Sequence, residues 1–174
     1  LGLKLYTVDF SIPPHSDDFG YILDSIQYNQ GDFFISQKKQ PGWSLVLSLI
    51  PTFLNSDNFL DYASAARILS ISISTVTIIP MYILARRFFD EKYSLVASCL
   101  FAFEPHLNYN SVLGLSEPIF ILGITLASVF ILQKNHNWYF YLSFLLAGIV
   151  WWIRFNGIIM IVILSIVFFI AVFW

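Results

Sequence analysis

The sequence predicts an all-α fold: a polytopic membrane helical bundle of about five transmembrane helices, with interfacial juxtamembrane helices on the outer face. Composition predicts it first, because 57% of the 174 residues are hydrophobic, 18% are aromatic and only 11% are charged. Soluble domains carry roughly a quarter charged residues. Long apolar runs separated by short charged loops predict it second. The net charge of −2 predicts nothing about nucleic acid, and because no basic cluster follows a phosphate backbone, no nucleic-acid partner is expected.

We expect a single transmembrane module over residues 1–174, an N-terminal fragment of a longer polytopic protein, because the chain starts without methionine and ends inside an apolar run. Residues 1–61 should form an outer loop with juxtamembrane helices, and residues 62–174 the transmembrane helical bundle. The single cysteine, Cys99, lies in an apolar run and is expected to pack there, because it has no disulfide partner.

Residues 16–31 have the pattern of an amphipathic helix that ends at Gly31. Its apolar side chains recur at helical spacing, and they are Phe19, Ile22, Leu23 and Ile26. An apolar face of this length is typical of a helix that lies at the membrane interface. Asp17 and Asp18 occupy its first turn, where backbone N–H groups and the helix dipole favour ionised carboxylates.

The apolar run at 43–54 contains Pro51 and is too short to cross the hydrocarbon, which takes ~20 residues. We therefore expect this run to be juxtamembrane or re-entrant. The later apolar runs are the expected spans, and their approximate bounds are 62–84, 93–108, 116–132, 138–153 and 158–174.

Loop charges predict which ends of the spans share a face. Basic residues mark the cytoplasmic side of a membrane protein, and here they are Arg86, Arg87, Lys92 and Lys134. With 43–54 not crossing, the opposite face collects the other unusual charges, which are Asp17, Asp18, Arg67, Glu117 and Arg154. The protein is then an integral multi-pass protein of the cell membrane, or of the endoplasmic reticulum in a eukaryote.

The adjacent acids Asp17 and Asp18 have two interpretations. One carboxylate can accept the proton of an acceptor hydroxyl that attacks an anomeric carbon, and the other can hold a divalent cation or orient the acceptor. The alternative is that both only cap an interfacial helix. Glu117, in a Ser-Glu-Pro segment, also has two interpretations. It caps the start of a span, or it faces the same cavity as the acid pair.

Basic residues are the candidates to neutralise a phosphate. Arg154 falls between two apolar runs, where a guanidinium needs an anionic partner. The candidate partners are a lipid phosphate, Glu117 and a substrate phosphate. The alternative is that the Arg154 side chain only extends to ordinary lipid headgroups. Arg67 and Lys39 can likewise stabilise a phosphate leaving group or contact headgroups. Four tryptophans fit interfacial belts and are assigned no further role: Trp43, Trp138, Trp151 and Trp152.

Short segments in one order along the chain resemble those of a single enzyme family. They are 15–21 (HSDDFGY), 39–45 (KQPGWSL), 66–70 (ARILS), 82–89 (YILARRFF), 115–120 (LSEPIF) and 152–157 (WIRFNG). The chain resembles the N-terminal part of the GT-C membrane glycosyltransferases, in the branch of the dolichyl-phosphate-mannose protein mannosyltransferases and aminoarabinose transferases, which is glycosyltransferase family 39-like.

The resemblance implies an enzyme that moves a sugar from a polyprenyl-phosphate-linked donor to a lipid, glycan or protein acceptor, at the outer face of the lipid bilayer. By analogy, Asp17 is the catalytic base, and Asp18 is its neighbour in contact with substrate or metal. Glu117 faces the same cavity. A divalent metal ion is the one cofactor considered; Asp18 and Glu117 are its potential ligands, and no ligand is assigned firmly.

By the same analogy, Arg67 and Arg154 contact the carrier phosphate, with Lys39 as a further candidate. Two other function classes stay open. A transporter also carries buried ionisable groups and broken helices, but it should place some of the charges near the middle of the bilayer. A non-catalytic membrane scaffold should tolerate neutralisation of Asp17, Asp18 and Arg154 together.

Overall fold

The computed structural model describes residues 2–14, 16–33, 40–54, 56, 58–133 and 138–173, and all regular structure in these ranges is helical. The all-α prediction is therefore confirmed. The helices are α1 (Gly2–Thr7), α2 (Ser16–Asn29), α3 (Gly42–Leu47), α4 (Leu49–Phe53), α5 (Phe59–Val76), α6 (Ile78–Ala85), α7 (Glu91–Ala102), α8 (Pro105–Val112), α9 (Glu117–Ile131), α10 (Trp138–Ile153), a 3₁₀ turn (Phe155–Gly157) and α11 (Ile158–Phe173).

The predicted amphipathic helix is α2, and it ends as the sequence indicates. Gly31 has a φ of 88°, a left-handed conformation that glycine adopts without steric cost. The N–H of Asp32 donates to the carbonyl of Gln27 at 3.0 Å, and the N–H of Gly31 donates to that of Tyr28 at 3.1 Å. These are the two bonds of a Schellman motif, which satisfies the last carbonyls of a helix.

The apolar residues of α2 divide between two environments. Ile22 is buried in a core, whereas Phe19 and Leu23 stay 47% and 40% exposed. The Phe19 ring lies 5.0 Å from that of Phe59, centroid to centroid. The helix instead buries polar groups near its start and middle, Asp18 and Ser25 among them. The exposed pair gives α2 the apolar strip expected of an interfacial helix.

Two prolines interrupt apolar helices, and in each case the preceding helix ends four residues before the proline. Proline has no N–H to donate, and its ring clashes with the carbonyl of residue i−4. Pro51 therefore separates α3, which ends at Leu47, from α4. Pro80 likewise separates α5, which ends at Val76, from α6.

One helix in the described part of the chain is long and apolar enough to cross a membrane, the 27-residue segment Phe59–Ala85 made of α5 and α6. It corresponds to the predicted span at 62–84. Shorter apolar helices of 10–17 residues are Gly42–Phe53, Glu117–Ile131, Trp138–Ile153 and Phe155–Ile170. The first of these is the run that was expected not to cross.

The prediction of one span over 93–108 is wrong. Helix α7 ends at Ala102, and α8 begins at Pro105. The Glu104 side chain accepts a hydrogen bond from the backbone N–H of Leu107, which caps α8. Proline suits the first position of a helix but cannot continue one, so the chain restarts here.

The expected packing of Cys99 is also wrong, because this cysteine is exposed on α7. The buried face of α7 carries small hydroxyl side chains instead, Ser94 and Ser98. The Ser98 hydroxyl donates to the carbonyl of Ser94 at 2.8 Å. Cys99 follows Ser98 directly and so points to a different side of the helix.

The chain divides into two compact units: residues 1–75 with 104–119, and residues 76–103 with 120–174. The core of the first unit consists of Ile22, Trp43, Leu47, Ala63 and Ala66. Trp43 is fully buried, so its assignment to an interfacial belt is wrong. Its indole N–H has a partner inside the protein, which allows the ring to leave the surface. Trp138, Trp151 and Trp152 are about half exposed, as expected.

In the second unit, α9 and α10 pack closely through small residues. A Cβ added to Gly123 would lie 2.3 Å from Cγ2 of Val150. The hydroxyl of Ser143 donates to the carbonyl of Ala127 at 2.7 Å. Small residues and interhelical hydrogen bonds are how helices associate in membranes. The core beside them consists of Ala127, Ile131, Ala147, Met160 and Leu164.

Candidate active site

The acid pair at the start of α2 divides between two environments in the first unit. Asp18 is fully buried, whereas Asp17 is exposed. The Oδ2 atom of Asp18 lies 4.0 Å from Nε of Arg67, whose side chain is also buried. The pair therefore consists of one carboxylate open to solvent and one held against a guanidinium from α5.

Arg67 also holds the chain that leads into α2. Its Nη2 donates to the carbonyl of Ile12 at 3.0 Å, and its Nη1 donates to that of Asp9 at 3.3 Å. The Asp9 carboxylate in turn accepts from the Ser11 hydroxyl and N–H. Both hydrogen bonds lower the pKa of the Asp9 carboxyl, and the bond from the Ser11 hydroxyl has the larger effect. A folded and charged turn therefore precedes the acid pair.

Gly114, in the turn after α8, lies against both members of the buried pair. Its φ is 78°, and a Cβ there would lie 3.0 Å from Asp18 Oδ1 and 3.4 Å from Cγ of Arg67. The indole N–H of Trp43 donates to the carbonyl of Gly114 at 3.0 Å. Only a residue without a side chain fits this position, and Trp43 fixes its backbone.

The residues after Gly114 connect the same turn to α5 and α2. The hydroxyl of Ser70 donates to the carbonyl of Leu115 at 3.3 Å, and the hydroxyls of Tyr21 and Ser116 lie 3.4 Å apart. Glu117 follows as the first residue of α9 and has one buried carboxylate oxygen. Asp18, Arg67 and Glu117 thus belong to one compact unit, and the residue before Glu117 contacts α2.

Arg154 belongs to the second unit and interrupts two apolar helices. Its φ of −146° and ψ of 135° are extended values between α10 and the 3₁₀ turn. The guanidinium carbon lies 5.7 Å from the centroid of the Phe120 ring, a cation–π distance. Gly157 closes the turn so tightly that a Cβ would lie 2.5 Å from the N atom of Trp151.

A sequence profile of the family described as dolichyl-phosphate-mannose-protein mannosyltransferase matches residues 58–174. The chain belongs to this family. It is thus a membrane glycosyltransferase of the GT-C type, similar to mannosyltransferases. No curated protein and no solved structure matches the chain. The family match includes Arg67, Glu117 and Arg154 and begins after the acid pair at Asp17 and Asp18.

The described residues of this mannosyltransferase family member do not offer a set of metal ligands. No group of three or more His, Cys, Asp or Glu lies together among them. Asp18 contacts a guanidinium, which a bound cation would repel. His106 shares a 3.3 Å contact with the side chain of Asn110. A divalent metal ion held by Asp18 and Glu117 stays a prediction.

Two residues of the site could not be predicted from the sequence of this family member. In the sequence, Trp43 is typical of a tryptophan at the membrane interface, and Gly114 is one glycine between apolar residues. Neither spacing nor charge connects them to Asp18. Lys39, the remaining candidate, lies outside the described residues, so its contact with a phosphate stays a prediction.

Proposed function

We propose that this protein transfers a sugar from a polyprenyl-phosphate carrier to an acceptor hydroxyl on the extracytoplasmic side, with Asp17 as general base. The family supplies the class of reaction. The contrast between an exposed Asp17 and a buried Asp18 supports the assignment of the base. A base must reach the proton that it removes, and Asp17 has that access.

In this proposal Asp18 is a positioning residue. The carboxylate of Asp18 and the guanidinium of Arg67 fix the first turn of α2 against α5. The Gly114 turn lies over them. An ordered first turn keeps the Asp17 carboxylate in one place while the acceptor oxygen approaches the anomeric carbon. Such preorganisation lowers the barrier because the catalytic group does not have to be ordered during the reaction.

The reaction breaks the bond between the anomeric carbon and the phosphate oxygen and forms a bond to the acceptor oxygen. The acceptor proton goes to Asp17, and the carrier phosphate leaves with the bonding electrons. Cationic groups stabilise the charge on the leaving phosphate. We assign this role to Arg154 and Lys39. Arg67 already donates to two backbone carbonyls, which favours a role in positioning the acid pair.

Glu117 stays a proposed substrate-binding member of the same cavity, because Ser116 before it contacts Tyr21 of α2. The acceptor class stays open among lipid, glycan and protein. The proposed location is a multi-pass position in the cell membrane, or in the endoplasmic reticulum of a eukaryote.

The test is the Asp17→Asn variant of the full-length protein, assayed with a radiolabelled polyprenyl-phosphate sugar. Loss of a general base should lower the transfer rate by about 10²–10⁴-fold, with the melting temperature nearly unchanged because Asp17 is exposed. The matched control is Asp32→Asn, which neutralises another exposed carboxylate just beyond the end of α2. Transfer that is unchanged in Asp17→Asn contradicts the proposed role of Asp17.

A further inference from the structure

An open concavity of about 490 Å³ lies in the second unit, at the turn between α6 and α7. Its lining residues are Arg86, Arg87, Phe88, Phe89, Asp90 and Tyr93. All six are exposed. None of them belongs to the candidate active site, and none has a role in the proposed transfer reaction.

The basic and acidic side chains that line this concavity form no ion pairs with one another among the described residues. The Arg86 guanidinium donates to the carbonyl of Phe89 at 3.5 Å, and the Arg87 guanidinium donates to the side-chain oxygen of Gln133. Within the described part of the chain, Asp90 forms no ion pair with either arginine. Two cationic groups and one anionic group therefore line the same space and remain available to a ligand.

The position of the concavity indicates where a ligand comes from. It begins directly after Ala85, the last residue of the segment Phe59–Ala85, which among the described residues is the helix long and apolar enough to cross a bilayer. Its rings are strongly exposed, with Phe88 at 65%, Phe89 at 55% and Tyr93 at 67%. Aromatic and basic residues at the end of a spanning helix are typical of the headgroup layer, so a lipid is the nearest source of a ligand.

We propose that this concavity binds the headgroup of a zwitterionic aminophospholipid. The lipid phosphate contacts Arg86 and Arg87, since guanidinium groups match phosphate oxygens in charge and geometry. The lipid ammonium lies between the Asp90 carboxylate and the Tyr93 ring, since an aromatic face attracts a cation. A purely anionic lipid satisfies the arginines but is repelled by Asp90. The charge pattern therefore favours a headgroup that carries both signs.

The test is native mass spectrometry of the full-length protein with short-chain lipids. Dihexanoyl phosphatidylethanolamine should bind more tightly than dihexanoyl phosphatidylglycerol, and more tightly than inorganic phosphate. Arg86→Gln and Arg87→Gln should each weaken binding of the ethanolamine lipid by about tenfold, since each removes a charged hydrogen-bond donor. Asp90→Asn should abolish the preference for ethanolamine over glycerol.

Lys92→Gln is the matched control, because it removes one positive charge from the same loop at a residue that does not line the concavity. It should leave binding within about twofold of the unmodified protein, since an exposed charge at a distance is screened. A loss in Lys92→Gln equal to that in the arginine variants overturns the site, because it indicates attraction by net charge alone. Equal binding of inorganic phosphate overturns a lipid ligand, and equal binding of the glycerol lipid overturns the zwitterionic assignment.

Discussion

Asp17 and Asp18 are adjacent on one helical turn but have different surroundings, because successive side chains on an α-helix point about 100° apart. A helix that packs on one side buries one of two neighbours and exposes the other. The sequence predicts that both are acidic and both lie in the first turn of α2. It cannot predict which one turns inward, because that depends on Arg67 and Gly114 from distant parts of the chain.

The two acids should therefore respond differently to the same substitution. Asp18→Asn removes the carboxylate beside a buried guanidinium, and the loss of one member of a buried ion pair costs about 3–5 kcal/mol. Asp17→Asn removes an exposed charge at a helix start, which costs about 0.3–1 kcal/mol. Thermal unfolding of the purified protein in detergent measures both. Equal melting temperatures for the two variants would show that Asp18 is not held by Arg67.

Among the secondary-structure elements, α5 shows how an apolar helix carries polar contacts. Arg67, Ser70 and Ser74 recur at helical spacing on one face, and each has a partner from elsewhere in the first unit. The Ser74 hydroxyl accepts from Nζ of Lys4 at 2.7 Å, and Ser70 donates to Leu115. In a membrane-spanning helix such a face must turn inward, because lipid offers no hydrogen bonds.

The contact between α9 and α10 gives a prediction from two glycines in neighbouring helices. Gly123→Ala should destabilise the protein by about 1–3 kcal/mol, because the new methyl group overlaps Val150 in a tightly packed contact. Gly148→Ala should stabilise it by up to about 1 kcal/mol, because alanine favours a helix over glycine. Nothing lies within 4 Å of a Cβ at Gly148. Thermal unfolding distinguishes the two, and a stabilising Gly123→Ala contradicts the close contact.

At the scale of the whole molecule, composition predicts the helical membrane class, and the length of the run at 43–54, which contains Pro51, predicts that this run does not cross. Two features were not predictable. Residues 104–119 join the first unit and not their neighbours in sequence, because tertiary contacts of the Gly114 turn decide their position. Trp43 is buried with its indole N–H bonded to the carbonyl of Gly114. This partner lies far along the chain, so no local sequence pattern indicates it.

The predicted sidedness can be tested with single cysteines in a Cys99→Ser background. The native cysteine is exposed and must be removed first. A cysteine at Ser11, in the exposed turn before α2, should react with a membrane-impermeant maleimide on intact cells. A cysteine at Lys92, in the basic loop, should react only after permeabilisation, because basic loops stay cytoplasmic. Labelling of both from the same side contradicts the assignment of the faces.

The contact between Asp18 and Arg67 also constrains biogenesis. Ribosomes make a chain from its N-terminus, so the acidic end of α2 emerges well before the arginine that it meets in the folded protein. An ionised carboxylate is costly in hydrocarbon; α2 must therefore wait in water or among headgroups until α5 has been synthesised. Membrane insertion of α5 is thus the event that permits the acidic turn to dock.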